Sequence, residues 1–116
     1  MVRLAVVFAA PARGARQIVH ALRFLAVPTS LEPGCLACRV TTGGADESVV
    51  RYEEEWESEE AMRNRLRSER FTQVLEVLES APEPPSVQFD FVSCTRGLDY
   101  VEEVRGQGKE QGKETA

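Results

Sequence analysis

After Met1 the chain begins VRLAVVFAA, a run of β-branched, aromatic and small apolar residues that reads as a strand. Side chains alternate across a strand, so Val2, Leu4, Val6 and Phe8 share one face and Ala5, Val7 and Ala9 the other. Both sets are apolar. A strand apolar on both faces belongs in a sheet that is covered on both sides. The rest of the chain must therefore supply one cover, and a second must come from elsewhere.

One cover is readable. Beyond Pro11 and Gly14, the segment ARQIVHALRFLAV repeats apolar residues at helical spacing: Ile18, Leu22 and Leu25, with Val19 and Ala26 beside them. Arg16, His20 and Arg23 fall on the opposite side. The helix is expected to weaken near Pro28, and Pro33-Gly34 ends the connection. CLACRVTT follows as a second strand, GGADES as a hairpin loop, and SVVRYEEEWE as a third strand. That third strand puts Val50, Tyr52, Glu54 and Trp56 on one face and Arg51, Glu53 and Glu55 on the other. Ser58 suits a helix N-cap, with Glu59 and Glu60 at the positive end of the dipole. The step from Leu66 to Phe71 breaks the helical phase, so the spacing predicts two helical pieces, the second capped by Ser68. APEPP closes them, and SVQFDFVSC is a fourth strand with Val87, Phe89 and Phe91 on one face.

The order β-α-β-β-α-β is that of an α+β, ferredoxin-like fold: a four-stranded antiparallel sheet with two helices on one face. The first strand's other apolar face is left open, and a second copy of the chain is its expected cover, since most soluble oligomers are symmetric. Residues 1–104 are expected to form one domain, of a size that 116 residues allow. Within it, GLDYVEEVRG adds a short final element of undetermined type. Residues 105–116, with Lys109 and Lys113 and no bulky apolar side chain, read as a flexible polar tail.

Composition removes several classes of function. A net charge of −5 argues against nucleic acid as a partner. No apolar run reaches the roughly 20 residues of a membrane span, and the opening stretch is too short and strand-like for a signal peptide. The expected location is the cytoplasm. Three cysteines, an odd number, read as reduced thiols. Two of them lie in EPGCLACRV with C-x-x-C spacing. In an extended strand Cys35 and Cys38 would point to opposite faces, and no second pair or nearby His completes a metal set. Redox C-x-x-C pairs open helices, whereas this one enters a strand. No metal and no sulfur chemistry are expected.

Two stretches resemble the antibiotic biosynthesis monooxygenase family, which includes quinol monooxygenases. The first is a pattern like L-x-x-L-x-x-x-T-x-x-E-P-G-C-L, matched by Leu22, Leu25, Thr29, Glu32, Pro33, Gly34, Cys35 and Leu36. The second is E-x-W-x-S at Glu54, Trp56 and Ser58, followed by S-x-x-F at Ser68 and Phe71. With the element order, the resemblance covers roughly residues 3 to 95. It implies a dimeric α+β barrel, with two sheets facing each other and any ligand in the apolar space they enclose. It also implies cofactor-independent oxygenation of a quinol or phenol.

The chain departs from that pattern where relatives often carry a His in the second helix; Arg65 stands there. In the haem-degrading branch that position looks like a Trp, with an axial His ten residues on, where this chain has Leu75. Haem is therefore not expected, and no cofactor is. A cofactor-free oxygenase needs a dry cavity, an aromatic wall and a group to stabilise or create a phenolate. Phe8, Tyr52 and Trp56 are the candidate pocket residues, with core packing as the alternative role. Arg65 reads as a fixed cation for a phenolate or ring carboxylate, or as a solvated helix residue. Glu54 reads as a base or as part of a charged surface. His20, the only histidine, is a candidate for proton transfer by residue type but lies on the helix side turned from the barrel. Two functions stay open: a monooxygenase of small aromatics, and a non-catalytic dimeric barrel that binds a small molecule or serves a regulatory or structural role.

Overall fold

The computed structural model describes residues 1–10, 12–44, 48–94 and 96–115. Its elements run β1 (Val2–Ala9), α1 (Ala12–Ser30), β2 (Cys35–Gly43), β3 (Val49–Trp56), α2 (Glu59–Leu66), α3 (Glu69–Glu79), β4 (Ser86–Phe91) and α4 (Leu98–Thr115). The four strands form one antiparallel sheet in the order β2-β3-β1-β4. This is the ferredoxin-like α+β arrangement expected from the element order.

Cross-strand register builds the core. Val2 pairs with Trp56, Leu4 with Glu54, Val6 with Tyr52 and Phe8 with Val50, and all eight are buried. Ile18, Val19 and Leu22 of α1 close over them, as do Met62 of α2 and Phe71, Val74 and Leu78 of α3. The phase break after Leu66 is real: Ser58 accepts from Ala61 N at 3.1 Å, and Ser68 from Phe71 N at 3.3 Å, so each piece has its own N-cap.

The chain departs from expectation in places. The first helix runs through Pro28 to Ser30 instead of fading before it. Thr29 Oγ1 donates to Leu25 O at 2.8 Å and Ser30 Oγ to Val27 O at 2.7 Å, which satisfies carbonyls at that end. The final element is a helix, and α4 carries the backbone to Thr115 through the segment that composition marks as a flexible tail; Glu, Gln and Lys sustain a helix well. The expected GGADES hairpin has its centre, residues 45–47, outside the described residues.

The second face of β1 is also less apolar than β1 alone suggests. Its small residues are flanked by ion pairs: Arg3 with Glu55 at 3.1 Å, Arg39 with Glu55 at 2.6 Å, and Arg51 with Glu53. Ala5, between Glu53 and Gln88, is only 6% exposed without any partner chain. The space in front of this face is walled by charge, not by large apolar side chains.

Candidate functional site

The run EEEW puts three carboxylates in succession on β3, and the strand's alternation separates them. Glu53 and Glu55 face the open side, while Glu54 points under the helices and is fully buried. A buried carboxylate is tolerated only when its lone pairs are occupied. Trp56 and Tyr52, two residues either side on the same face, donate to it, through Trp56 Nε1 at 2.8 Å and through the Tyr52 hydroxyl. Arg65 supplies the other two bonds, Nε to Oε1 at 3.0 Å and Nη2 to Oε2 at 3.1 Å. Glu54 thus accepts four hydrogen bonds, and the surface reading of this residue is wrong.

Arg65 is no solvated helix residue either: 3% of it is exposed. Its Nη2 also donates to Thr29 Oγ1 at 3.0 Å, and its guanidinium lies 5.3 Å over the Phe71 ring. Nη1 is 3.6 Å from Glu32 Oε1 and, among the described residues, has no hydrogen-bond partner. Glu32 in turn sits 3.5 Å from Arg70. Burial opposes the Arg65 charge, but hydrogen bonds and charge from Glu54 outweigh it and hold the guanidinium pKa above its ordinary value. Burial, then the Glu54 charge, pushes the Tyr52 hydroxyl upward, so Tyr52 stays a neutral donor.

Beside this network opens a cleft of about 470 Å³ whose wall includes Glu32, Trp56, Glu57, Glu60, Asn64 and Arg65. It lies at the junction of the α1–β2 turn with the start of α2. Of the expected site residues, Tyr52, Glu54, Trp56 and Arg65 come together, and two of them, Trp56 and Arg65, reach the cleft. Phe8 does not: it is core, paired with Val50 toward the far end of β1. His20 is exposed on α1, away from these residues. The candidate pocket residues therefore point beneath the helices and not toward the open face of the sheet.

Thr29, Glu32 and Arg70 complete the site and were not among the expected residues. The signal for the first two was present, since both are the polar positions of the T-x-x-E-P-G stretch. Gly34 fixes that stretch: its φ is +87°, and its carbonyl accepts from Glu57 N at 2.8 Å. A Cβ there would lie 3.1 Å from Ala61 Cβ and 3.3 Å from Glu57 Oε1. Gly34→Ala is expected to cost about 1–2 kcal/mol from the left-handed backbone alone, read as a lower urea midpoint with an unchanged slope; an unchanged midpoint would contradict this account of the turn.

The cysteines need a correction. A bulge between Cys35 and Ala37 shifts the β2 register, so Cys35 pairs with Trp56 and Cys38 with Glu54, both residues of the helix-side face. The two thiols thus share a face instead of pointing apart. Burial raises both thiol pKa values, that of Cys38 to about 11, where its Sγ lies 3.5 Å from the Tyr52 hydroxyl. Neither is a primed nucleophile. Among the described residues no group of three His, Cys, Asp or Glu side chains is placed to hold a metal ion, and no helix is long and apolar enough to cross a membrane.

A family model for antibiotic biosynthesis monooxygenases matches residues 1–77, β1 to within α3, and the chain belongs to that family. Its fold is similar to that of a candidate antibiotic biosynthesis monooxygenase from Deinococcus radiodurans, with a TM-score of 0.74 and 21% identity over 84% of this chain and 97% of that one. A protein of the same description from Nitrosomonas europaea gives a TM-score of 0.70 at 12% identity, covering 81% and 100%. A conserved protein from Methanosarcina mazei Go1 gives 0.69 at 17% identity, covering 77% and 89%. At these identities the likeness is one of fold. No curated protein matches the chain's sequence.

Proposed function

We propose that this chain is a monooxygenase that uses dioxygen, without a cofactor, to oxidise a small phenol or quinol held in the cleft beside Trp56. The observation that carries the proposal is that Trp56 and Arg65 line one cleft, and that Arg65 Nη1 has no hydrogen-bond partner among the described residues. A hydrogen bond to a phenolic oxygen favours its ionised form, and an electron-rich phenolate can pass an electron to dioxygen. In the balanced reaction one atom of dioxygen enters the product and the other leaves as water with two hydrogens of the substrate: an anthrone's ring CH₂ becomes C=O, and a hydroquinone becomes a hydroxyquinone.

Glu54 is poorly placed as the base, because its four donors occupy the lone pairs a substrate proton needs. Glu32 is the carboxylate at the cleft beside Arg65, and its side chain is 21% exposed. In an oxygen electrode, uptake is expected with hydroquinone or anthrone. Glu32→Gln should lower kcat at least about tenfold, the low side of general-base effects. Unchanged kcat in that variant would remove Glu32 from the chemistry.

The closed Tyr52–Glu54–Trp56–Arg65 network favours a second reading. Its polar atoms satisfy one another as a structural brace does, which suits a non-catalytic barrel that binds a small molecule. Absence of uptake across the panel would select it.

We further propose that the working unit is a homodimer. Val87, Phe89 and Phe91 stand exposed on β4, and Leu98, Val101 and Val104 on α4, apolar side chains that a second copy would cover. Light scattering at micromolar concentration should give twice the chain mass of 12.9 kDa; a monodisperse monomer would refute the assembly.

A further inference from the structure

The cleft is electrically unlike a site for an anionic aromatic. Glu32, Glu57 and Glu60 line it, and Glu54 lies just behind. Two guanidiniums answer these four carboxylates, and both are engaged: Arg65 by Glu54 and Glu32, Arg70 by Glu32. Arg65 therefore offers the cleft a hydrogen bond from Nη1 without a net positive field. A neutral oxygen acceptor fits that donor; a carboxylate would add a further negative charge among those present, and like charges brought together disfavour binding.

We propose that the cleft selects uncharged, hydroxyl-bearing aromatics over their carboxylated counterparts, with one hydroxyl oxygen accepting from Arg65 Nη1 and a hydroxyl proton donated to Glu32, while Glu57 and Glu60 act only through their charge. This rests on the oxygenase reading only for its place in a reaction; as a binding preference it stands apart. The two readings are consistent in charge. A substrate that enters neutral and passes its proton to Glu32 leaves the site's total charge unchanged, whereas an anion entering does not.

The spacing supports the assignment. Glu32, on the cleft wall, stands 3.6 Å from Nη1, too far for a good hydrogen bond, and Nη1 has no hydrogen-bond partner among the described residues. Ser58 and Asn64, also on the cleft wall, add neutral hydrogen-bonding groups suited to hydroxyls.

The test is calorimetric titration of the full chain with hydroquinone and with 2,5-dihydroxybenzoate at pH 7, with quenching of Trp56, the chain's one tryptophan, marking where the ring sits. Hydroquinone is expected to bind at least about tenfold more tightly than its carboxylated copy. The double variant Glu57→Gln/Glu60→Gln changes two exposed side chains. It should strengthen dihydroxybenzoate binding several-fold and leave hydroquinone within about twofold. Equal affinities, a preference for the carboxylated probe, no binding of hydroquinone at millimolar concentration, or a double variant without effect would each overturn the proposal. Selective binding with no oxygen uptake keeps this inference and removes the oxygenase. Uptake that favours the carboxylated probe does the reverse.

Discussion

Replacing Glu54 by alanine is expected to lower the unfolding free energy by about 3–5 kcal/mol, the cost of leaving one member of a buried ion pair behind. The orphaned groups explain the size. Arg65 would keep a buried charge with only Thr29 and the distant Glu32 as partners, and Trp56 Nε1 and the Tyr52 hydroxyl would lose their acceptor. Each such donor left dry costs about 1–3 kcal/mol. Arg65→Ala should be similarly severe, because Glu54 is fully buried and would be left with only two neutral donors. The two losses share one interaction, so the double variant should cost less than their sum, by about 2 kcal/mol or more. Urea unfolding of the four proteins measures that coupling. Additive losses, or a Glu54→Ala cost under about 1 kcal/mol, would mean that the pair is not the brace described.

The strength of this brace also explains what the sequence could show. Element order was legible because it rests on local periodicity: Ser58 and Ser68 cap where their neighbours require, and β3 alternates along its whole length. The same alternation already placed Tyr52, Glu54 and Trp56 on one face. Which face lay under the helices was not legible, because β1 is apolar on both. The ion pairs of Arg3, Arg39 and Arg51 that identify the open side come from three different strands. Burial of Arg65 was hidden for a related reason. Its partners Thr29, Glu32 and Glu54 are 36, 33 and 11 residues away, and no short window joins them. The bulge at Cys35 is a matter of register, set by pairing with β3 and not by the C-x-x-C itself.

Alkali should weaken this fold through groups that the core keeps neutral. Burial is the main cause that lifts the Cys38 thiol from 9.0 to about 11 and moves the Tyr52 hydroxyl upward from 10.0, with the Glu54 charge adding to each. In the unfolded chain these groups ionise at ordinary values while the folded chain still holds their protons. The unfolded state then binds fewer protons, and stability falls as pH rises. The stabilisation tied to Cys38 is complete below pH 9 and is lost as pH climbs through about 11; the Tyr52 contribution begins to go above pH 10. For Cys38 alone the loss is on the order of 2–3 kcal/mol. General repulsion in an acidic protein also grows with pH, so the decisive comparison is with Cys38→Ala, which has no thiol to titrate. At pH 8 the parent should be the more stable, since the variant loses packing against the core. By pH 11 that gap should have narrowed or reversed, as followed by urea unfolding at each pH. A gap that stays constant across this range would show that Cys38 is not held neutral by its surroundings.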